Sequence, residues 1–298
     1  PSGAQCSTHG EWDRYVAAFR RAHSDILCAA YRDLAEPLRQ WDPQHLVSFR
    51  GGACGLPYGP SFAHIHGVAA PKHMDFLNPE GYNLQTGGVS TLTPADDLRR
   101  GGLVTLFYRF TSREKPVVWM EFGASVNGYN TVWQPDLVHV PPQALARQGE
   151  ELRRFYEMFL ESGARGAAPW WLPGGFRLGE NSDFGVIEPD GSERPAARVM
   201  RQFLPRFAQV QHRPPTAYLD LDLEAHYADS WPLYSPQYLA LVKAGKTPYL
   251  RTAGTGTTSA TCPLVAVGGG PCTGHNPPLY LNAEFNRLEL KVGDGPWQ

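Results

Sequence analysis

No apolar run in this 298-residue chain approaches the ~20 residues a membrane-spanning helix needs, so no membrane partner is expected. Charge of one sign is missing too. Lys and Arg total 27 against 29 Asp and Glu, the net charge is −2, and no block of like charge stands out. That argues against a nucleic-acid partner. The five cysteines, Cys6, Cys28, Cys54, Cys262 and Cys272, contain no CxxC pair, which removes a zinc ribbon. Cys262 and Cys272 flank a loop rich in Gly and Pro, where a short disulfide and two separate thiols fit equally well; the odd total leaves at least one thiol unpaired within the chain. There is no GxSxG elbow to present a serine nucleophile. Val267-Gly-Gly-Gly270 is not part of a GxGxxG after a strand, so a phosphate-binding loop is not expected. No cofactor is implied. Neither Met nor a signal peptide heads the chain, which begins at Pro1 and reads as a processed or cut product. The sequence carries no address of its own; a secreted or periplasmic setting is the expectation.

What is present is an alternation of elements. The 31 Gly and 27 Pro are scattered rather than periodic, which points to many ordered loops. Apolar residues at gaps of three and four from Trp12 to Leu38 predict one amphipathic helix, or two in succession. Two short strands follow, His45 to Arg50 and His73 to Leu77. A helical pattern covers Pro94 to Ser112, interrupted by Gly101-Gly102, and a stronger one covers Gln143 to Ser162. The next strand is Gly166 to Trp171, and a last helix spans Pro195 to Phe207. Strands alternating with helices predict an α/β fold with a parallel sheet. At Arg213-Pro-Pro215 the character changes, and residues 213–298 read as a small α/β or β-rich module. That module is expected to hold strands near Ala217–Leu223 and Leu279–Phe285 and a short helix near Pro236–Ala244.

The most informative segment is Lys115-Pro-Val-Val-Trp-Met-Glu121-Phe-Gly123. A short apolar run bounded by Pro and Gly predicts a buried strand. It ends in a single carboxylate. Burying a carboxylate is costly unless it is paired or used, and the C-terminal ends of parallel barrel strands are where barrel enzymes hold their catalytic groups. A strand cap, or a pair with an arginine, is the plainer alternative.

Four segments, taken in order, resemble one family. Ala168-Pro-Trp-Trp171 with Gly179-Glu-Asn-Ser-Asp-Phe-Gly185 and Gly191-Ser-Glu-Arg-Pro-Ala196 is similar to the eighth-strand region of clan A retaining glycoside hydrolases, which are (β/α)8 barrels. Lys115–Gly123 resembles their seventh strand, whose terminal Glu is the nucleophile. Asp42–Ser48 resembles the fifth strand and Asp75–Tyr82 the sixth. The resemblance covers residues 11–207 and implies the C-terminal half of a barrel, strands five to eight, within residues 1–212. A whole barrel takes about 250 residues. Strands one to four, with the Asn-Glu pair that carries the family's acid/base, have no counterpart. Glu11 lacks a preceding Asn. The expectation is a piece of a longer enzyme: a cleaved product, a truncated form or one chain of a split assembly. The missing half, or a second copy, is the partner this implies.

The resemblance also implies roles. Glu121 would be the nucleophile of a double displacement on a β-linked oligo- or polysaccharide, with the acid/base Glu upstream. Tyr82 would hydrogen-bond that nucleophile, and Arg50 would supply positive charge. Trp170 and Trp171, sent to opposite sides by strand alternation, would place one ring at the mouth, with Trp171 expected to stack on a sugar. Glu80, Asn78, Glu180 and Asn181 would contact sugar hydroxyls. A non-catalytic carbohydrate-binding role, or an inactive fragment, is the second reading. His64-Ile-His66, with His73 and Asp75 nearby, raises a metal-dependent hydrolase as the third.

Overall fold

The computed structural model describes residues 12–48, 73–82, 84–85, 91–128, 139–254, 280–282 and 287–289. The chain forms two compact units, Pro1–Cys262 and Pro263–Gln298. In the first, helix α1 spans Trp12–Trp41, α2 Ala95–Arg100, α3 Gly102–Ser112, α4 Pro142–Ser162, α5 Pro195–Phe207 and α6 Leu223–Lys243. Its strands are β1 Val118–Trp119, β2 Gly166–Ala167, β3 Ala217–Leu221 and β4 Pro248–Thr252. The second unit carries a hairpin in which β5 Tyr280–Asn282 pairs antiparallel with β6 Arg287–Glu289. No helix of the described residues is long and apolar enough to cross a membrane.

Four extended segments lie side by side in sequence order. Val47 C=O accepts from Asp75 N–H at 2.8 Å, and Ser48 Oγ donates to Phe76 C=O at 2.6 Å. Leu77 N–H donates to Pro116 C=O, Val118 N–H to Leu77 C=O, and Gly81 N–H to Glu121 C=O, at 2.7–2.9 Å. Arg165, Ala168 and Trp170 N–H then donate to Val117, Trp119 and Phe122 C=O, each at 2.7 Å. β1 and β2 pair parallel with Val118 opposite Gly166, and bridges Leu77–Val117 and Glu80–Glu121 continue the parallel pattern. Between the second and third segments lie α2 and α3; between the third and fourth lies α4. Parallel neighbours need such crossovers, because a tight turn cannot reverse the chain twice.

An aromatic layer fixes the helices to this sheet. Phe122 meets Phe155, Tyr156 and Phe159 of α4 at centroid distances of 5.2, 5.5 and 4.8 Å, and Trp119 stacks on Phe159 at 4.7 Å. Tyr156 carries the layer on to Phe203 and Phe207 of α5. Each such side chain contributes roughly 1.5–3 kcal/mol through burial. α4 has Pro142 at its first turn, where a missing N–H costs nothing. It stops at Gly163, whose φ of +83° lets it and Ala164 close on the last carbonyls.

The gap at Gly101-Gly102 proves to be a joint between two helices, α2 and α3. Gly102 is also a close approach: a Cβ there would sit 2.0 Å from the Tyr238 hydroxyl. The region after Arg213 departs most from expectation. Where a short helix near Pro236 was expected, α6 runs for 21 residues through Pro232 and Pro236. Burial of Tyr234, Tyr238, Leu239 and Val242 offsets the bonds those prolines cannot make. β3 and β4 pair parallel over five residues with α6 between them, and Leu219, Leu221 and Leu250 share a second core with Leu103, Leu106, Phe107 and Phe110 of α3. The change of chain character at residue 213 therefore does not mark a boundary between compact units; that falls after Cys262.

Candidate active site

The C-terminal ends of the parallel segments converge on carboxylates. Glu121 follows β1 and is 8% exposed; Glu80 ends the neighbouring segment and is 1% exposed. The two are direct register partners, so their side chains leave the same face of the sheet. Two glycines let the backbones close up here. A Cβ on Gly81 would lie 2.7 Å from Phe122 Cβ, and one on Gly123 would lie 2.6 Å from Trp170 C=O. Gln85 Nε2 donates to Gly123 C=O at 2.7 Å, holding the strand exit.

Tyr82 stands two residues after Glu80. Its Oη is cut off from solvent and has no partner at hydrogen-bonding geometry among the described residues, yet it lies in the field of Glu121. Burial raises its pKa well above the ordinary phenol value, and the charges of Glu121, Glu80 and Glu180 raise it further. The phenol therefore stays a proton donor at any pH the fold survives, with a carboxylate as its nearest electrostatic partner. Asn78 accepts from Ser48 Oγ at 3.2 Å, which ties the first two segments together at the same end.

Trp170 and Trp171 do not face opposite ways. Their rings meet edge to face at 5.8 Å, and the Arg177 guanidinium lies over both. Trp171 is buried at 7% exposure, between Phe184 at 5.6 Å and the Arg177 guanidinium, which sits 4.2 Å from its ring centre. Trp170 is half-buried, and its Nε1 donates to Glu180 Oε2 at 3.1 Å. Glu180 also pairs with Arg177 at 3.0 Å. Asn181 is exposed and takes a left-handed φ of 50° in the turn that follows. Glu121, Glu80, Tyr82, Trp170, Trp171 and Glu180 thus line one end of the sheet. Arg50, His64 and His66 lie outside the described residues. Among those described, no cluster of three His, Cys, Asp or Glu side chains could hold a metal.

Sequence reasoning passed over the clasp behind this wall. Asp183 and Arg194, each 1% exposed, meet through two hydrogen bonds of 3.0 and 2.9 Å, and Arg194 also reaches Glu188 at 3.0 Å. Asp183 accepts from Gly185 N–H at 2.9 Å and from Gly175 N–H at 3.2 Å. Gln148 of α4 donates to Ala124, Phe184 and Gly185 C=O. The Asp-Phe-Gly and Arg-Pro-Ala pieces were visible as a motif, but their contact across ten residues was not. Arg177 was missed altogether; no spacing rule marks it.

No family model matches the chain, and no characterised protein matches it by sequence. Solved structures do. A polyextremophilic beta-galactosidase from the Antarctic haloarchaeon Halorubrum lacusprofundi superposes with a TM-score of 0.54 at 17% identity, covering 84% of this chain and 38% of its own. A beta-galactosidase from the psychrophilic Marinomonas ef1 gives 0.50 at 17%, covering 82% and 39%. An exo-beta-1,4-mannosidase from Opitutaceae bacterium strain TAV5 gives 0.50 at 14%, covering 80% and 49%. The chain spans less than half the length of each of these structures. At such identities the likeness is one of fold alone, a TIM-barrel-like one that the chain shares with parts of these glycoside hydrolases.

Proposed function

We propose that this chain carries the nucleophile side of a retaining glycoside hydrolase site that acts on a β-linked oligo- or polysaccharide. One observation carries the reading: a buried carboxylate, Glu121, ends a parallel strand directly beside a phenol held in its protonated form. In the first displacement Glu121 attacks the anomeric carbon and the glycosidic C–O bond breaks, while an acid protonates the leaving oxygen. In the second, the deprotonated acid takes a proton from water, whose oxygen bonds the anomeric carbon as the glycosyl ester C–O bond breaks and Glu121 leaves as a carboxylate. The acid/base carboxyl comes from outside the described residues. Tyr82, held neutral in the field of Glu121, is the donor that would come into hydrogen-bond reach of that carboxylate during attack, and Arg50 would supply positive charge. Trp170, the more open of the two indoles, offers a flat face to a sugar ring, and Trp171 with Arg177 backs it. Asn78, Glu180 and Asn181 contact hydroxyls.

The test is covalent capture. Incubation with an activated 2-fluoro β-glycoside, followed by digestion and mass spectrometry, is expected to find one sugar ester, on the peptide that contains Glu121. A label on any other residue overturns the assignment. Binding of the sugar with no label, even when the remainder of a barrel is supplied as a longer chain, would instead mark a carbohydrate-binding protein.

A further inference from the structure

We infer that Arg177 and Glu180 are positioning residues for Trp170: a relay from guanidinium to carboxylate to indole N–H fixes that ring as the platform for a sugar. Both carboxylate oxygens are used. Glu180 Oε2 accepts from Trp170 Nε1 at 3.1 Å, and Oε1 takes the Arg177 guanidinium at 3.0 Å. The guanidinium in turn sits 4.2 Å from the ring centre of Trp171 and 5.4 Å from that of Trp170, in the corner where the two indoles meet edge to face. Trp170 is therefore held at its N–H by Glu180 and along its ring by Trp171 and Arg177. A half-buried indole without such contacts turns among its staggered side-chain rotamers. With them it keeps one orientation.

The relay is mounted on a fixed base. Arg177 and Glu180 share one tight turn, in which Arg177 N–H donates to Ser182 C=O at 2.9 Å and Glu180 N–H to Arg177 C=O at 3.2 Å. Ser182 is buried, and next to it Asp183 is locked to Arg194 inside the fold. Stability is not what the relay supplies. The Arg177 and Glu180 side chains are 48% and 30% exposed, and ion pairs so open to water add little to folding. It supplies order in advance of binding. A loose side chain that must be ordered on binding weakens affinity by roughly three- to tenfold. The Arg177 side of the corner is occupied, so a sugar stacks on the opposite face of Trp170. The charge of Glu180 is felt at Tyr82, which sets the relay beside the candidate nucleophile. The positioning role rests on Trp170 being the platform, as proposed above; the relay itself rests on the contacts alone.

Two measurements on the full chain separate the relay from its use. In a proton–nitrogen correlation spectrum, Trp170→Phe identifies the Trp170 indole N–H as the signal that vanishes. Glu180→Ala is expected to shift that signal more than any other indole signal and to speed its exchange with deuterium. A signal that stays in place overturns the relay. Titration calorimetry with cellotetraose, mannotetraose and β-1,4-galactotetraose reads the role. Glu180→Ala and Arg177→Ala are each expected to weaken binding by about three- to tenfold, and to change nothing further once Trp170→Ala is present. Losses that multiply with that of Trp170→Ala would mean that the two side chains act on the sugar directly, and the positioning role falls. If the signal shifts but Trp170→Ala binds like wild type, the platform reading fails and the positioning role with it, while the relay stands. A wild type that binds none of these oligosaccharides has the same consequence. Failure of Glu121 to label with the 2-fluoro glycoside overturns the nucleophile and alters none of these results.

Discussion

Tyr82 shows how burial turns a side chain into a one-way donor. Loss of hydration raises its pKa first, and three carboxylates raise it further, so the phenolate is never formed under working conditions. Tyr82→Phe removes only the hydroxyl and keeps the ring edge against Phe184 at 6.1 Å. The expected result is a loss of about tenfold in Glu121 labelling, equivalent to ~1.4 kcal/mol, with little change in melting temperature. An unchanged rate would place the hydroxyl outside the reaction. The two tryptophans should part company in the same way. Trp170→Ala is expected to weaken oligosaccharide binding, measured by titration calorimetry. Trp171→Ala should chiefly lower stability, by about 3–5 kcal/mol, because it empties a packed site between Phe184 and Arg177.

Among the elements, the return loop from β2 to α5 depends on a buried ion pair. Asp183→Asn leaves the Arg194 guanidinium at 1% exposure with only Glu188 as a charged partner. Breaking such a pair from one side costs about 3–5 kcal/mol, which urea unfolding would read directly. Asp75 makes a gentler joint between α1 and the first two segments, accepting from Arg39 at 2.7 Å and from Val47 N–H at 2.8 Å. The Arg39 hydrogen bond, with that of Val47, holds its pKa below the ordinary value. The folded carboxyl thus keeps its charge to lower pH than the unfolded one, and its contribution is present above the unfolded pKa of about 3.9 and lost as pH falls through the folded value. Melting curves of wild type and Asp75→Asn should differ at pH 6 and draw together as the pH is taken progressively below the unfolded value. A gap that stays constant with pH would show that the carboxylate charge is irrelevant there.

For the molecule as a whole, the two ends of the sheet differ in charge for separate reasons. Carboxylates gather at the C-terminal strand ends. At the opposite end a cavity of roughly 370 Å³ is lined by Arg109, Lys115, Arg165, Arg206 and Arg213, which outnumber the lining carboxylates Glu114, paired with Arg109, and Glu161. The last turns of α3, α4 and α5 also border it, and Arg165 donates to Val210 C=O beyond α5. Cations there answer helix C-termini, whose free carbonyls carry partial negative charge. The sheet also has outer members: among the described residues, the segment at Val47 and strand β2 each pair on one side only. Parallel sheets are normally covered and closed. Large apolar side chains are exposed nearby, Trp41 at 84% and Leu46 at 73%. If a second copy covers these edges, as we propose, light scattering should give a mass above that of one chain. A monodisperse single-chain mass at high concentration would refute it.

The helices from Pro142 to Ser162 and from Pro195 to Phe207 were legible in the sequence, as was a short buried strand, Val118–Trp119, just before Glu121. Each depends on local periodicity, or on Pro and Gly at an end, and local rules suffice for that. The strands expected at His45–Arg50 and His73–Leu77 are, among the described residues, extended segments with isolated bridges and not regular strands. The continuous α6 was not legible, since its prolines spoke against it and only burial against α3 outweighed them. Nor was the side of the sheet taken by the two indoles, the closure of Asp183 on Arg194, or the register that sets Glu80 beside Glu121. The sequence by itself determined which chemical groups stand at the strand ends. Only the tertiary structure decided which of them touch, because contact across forty residues depends on how layers pack and not on the spacing of residues along the chain.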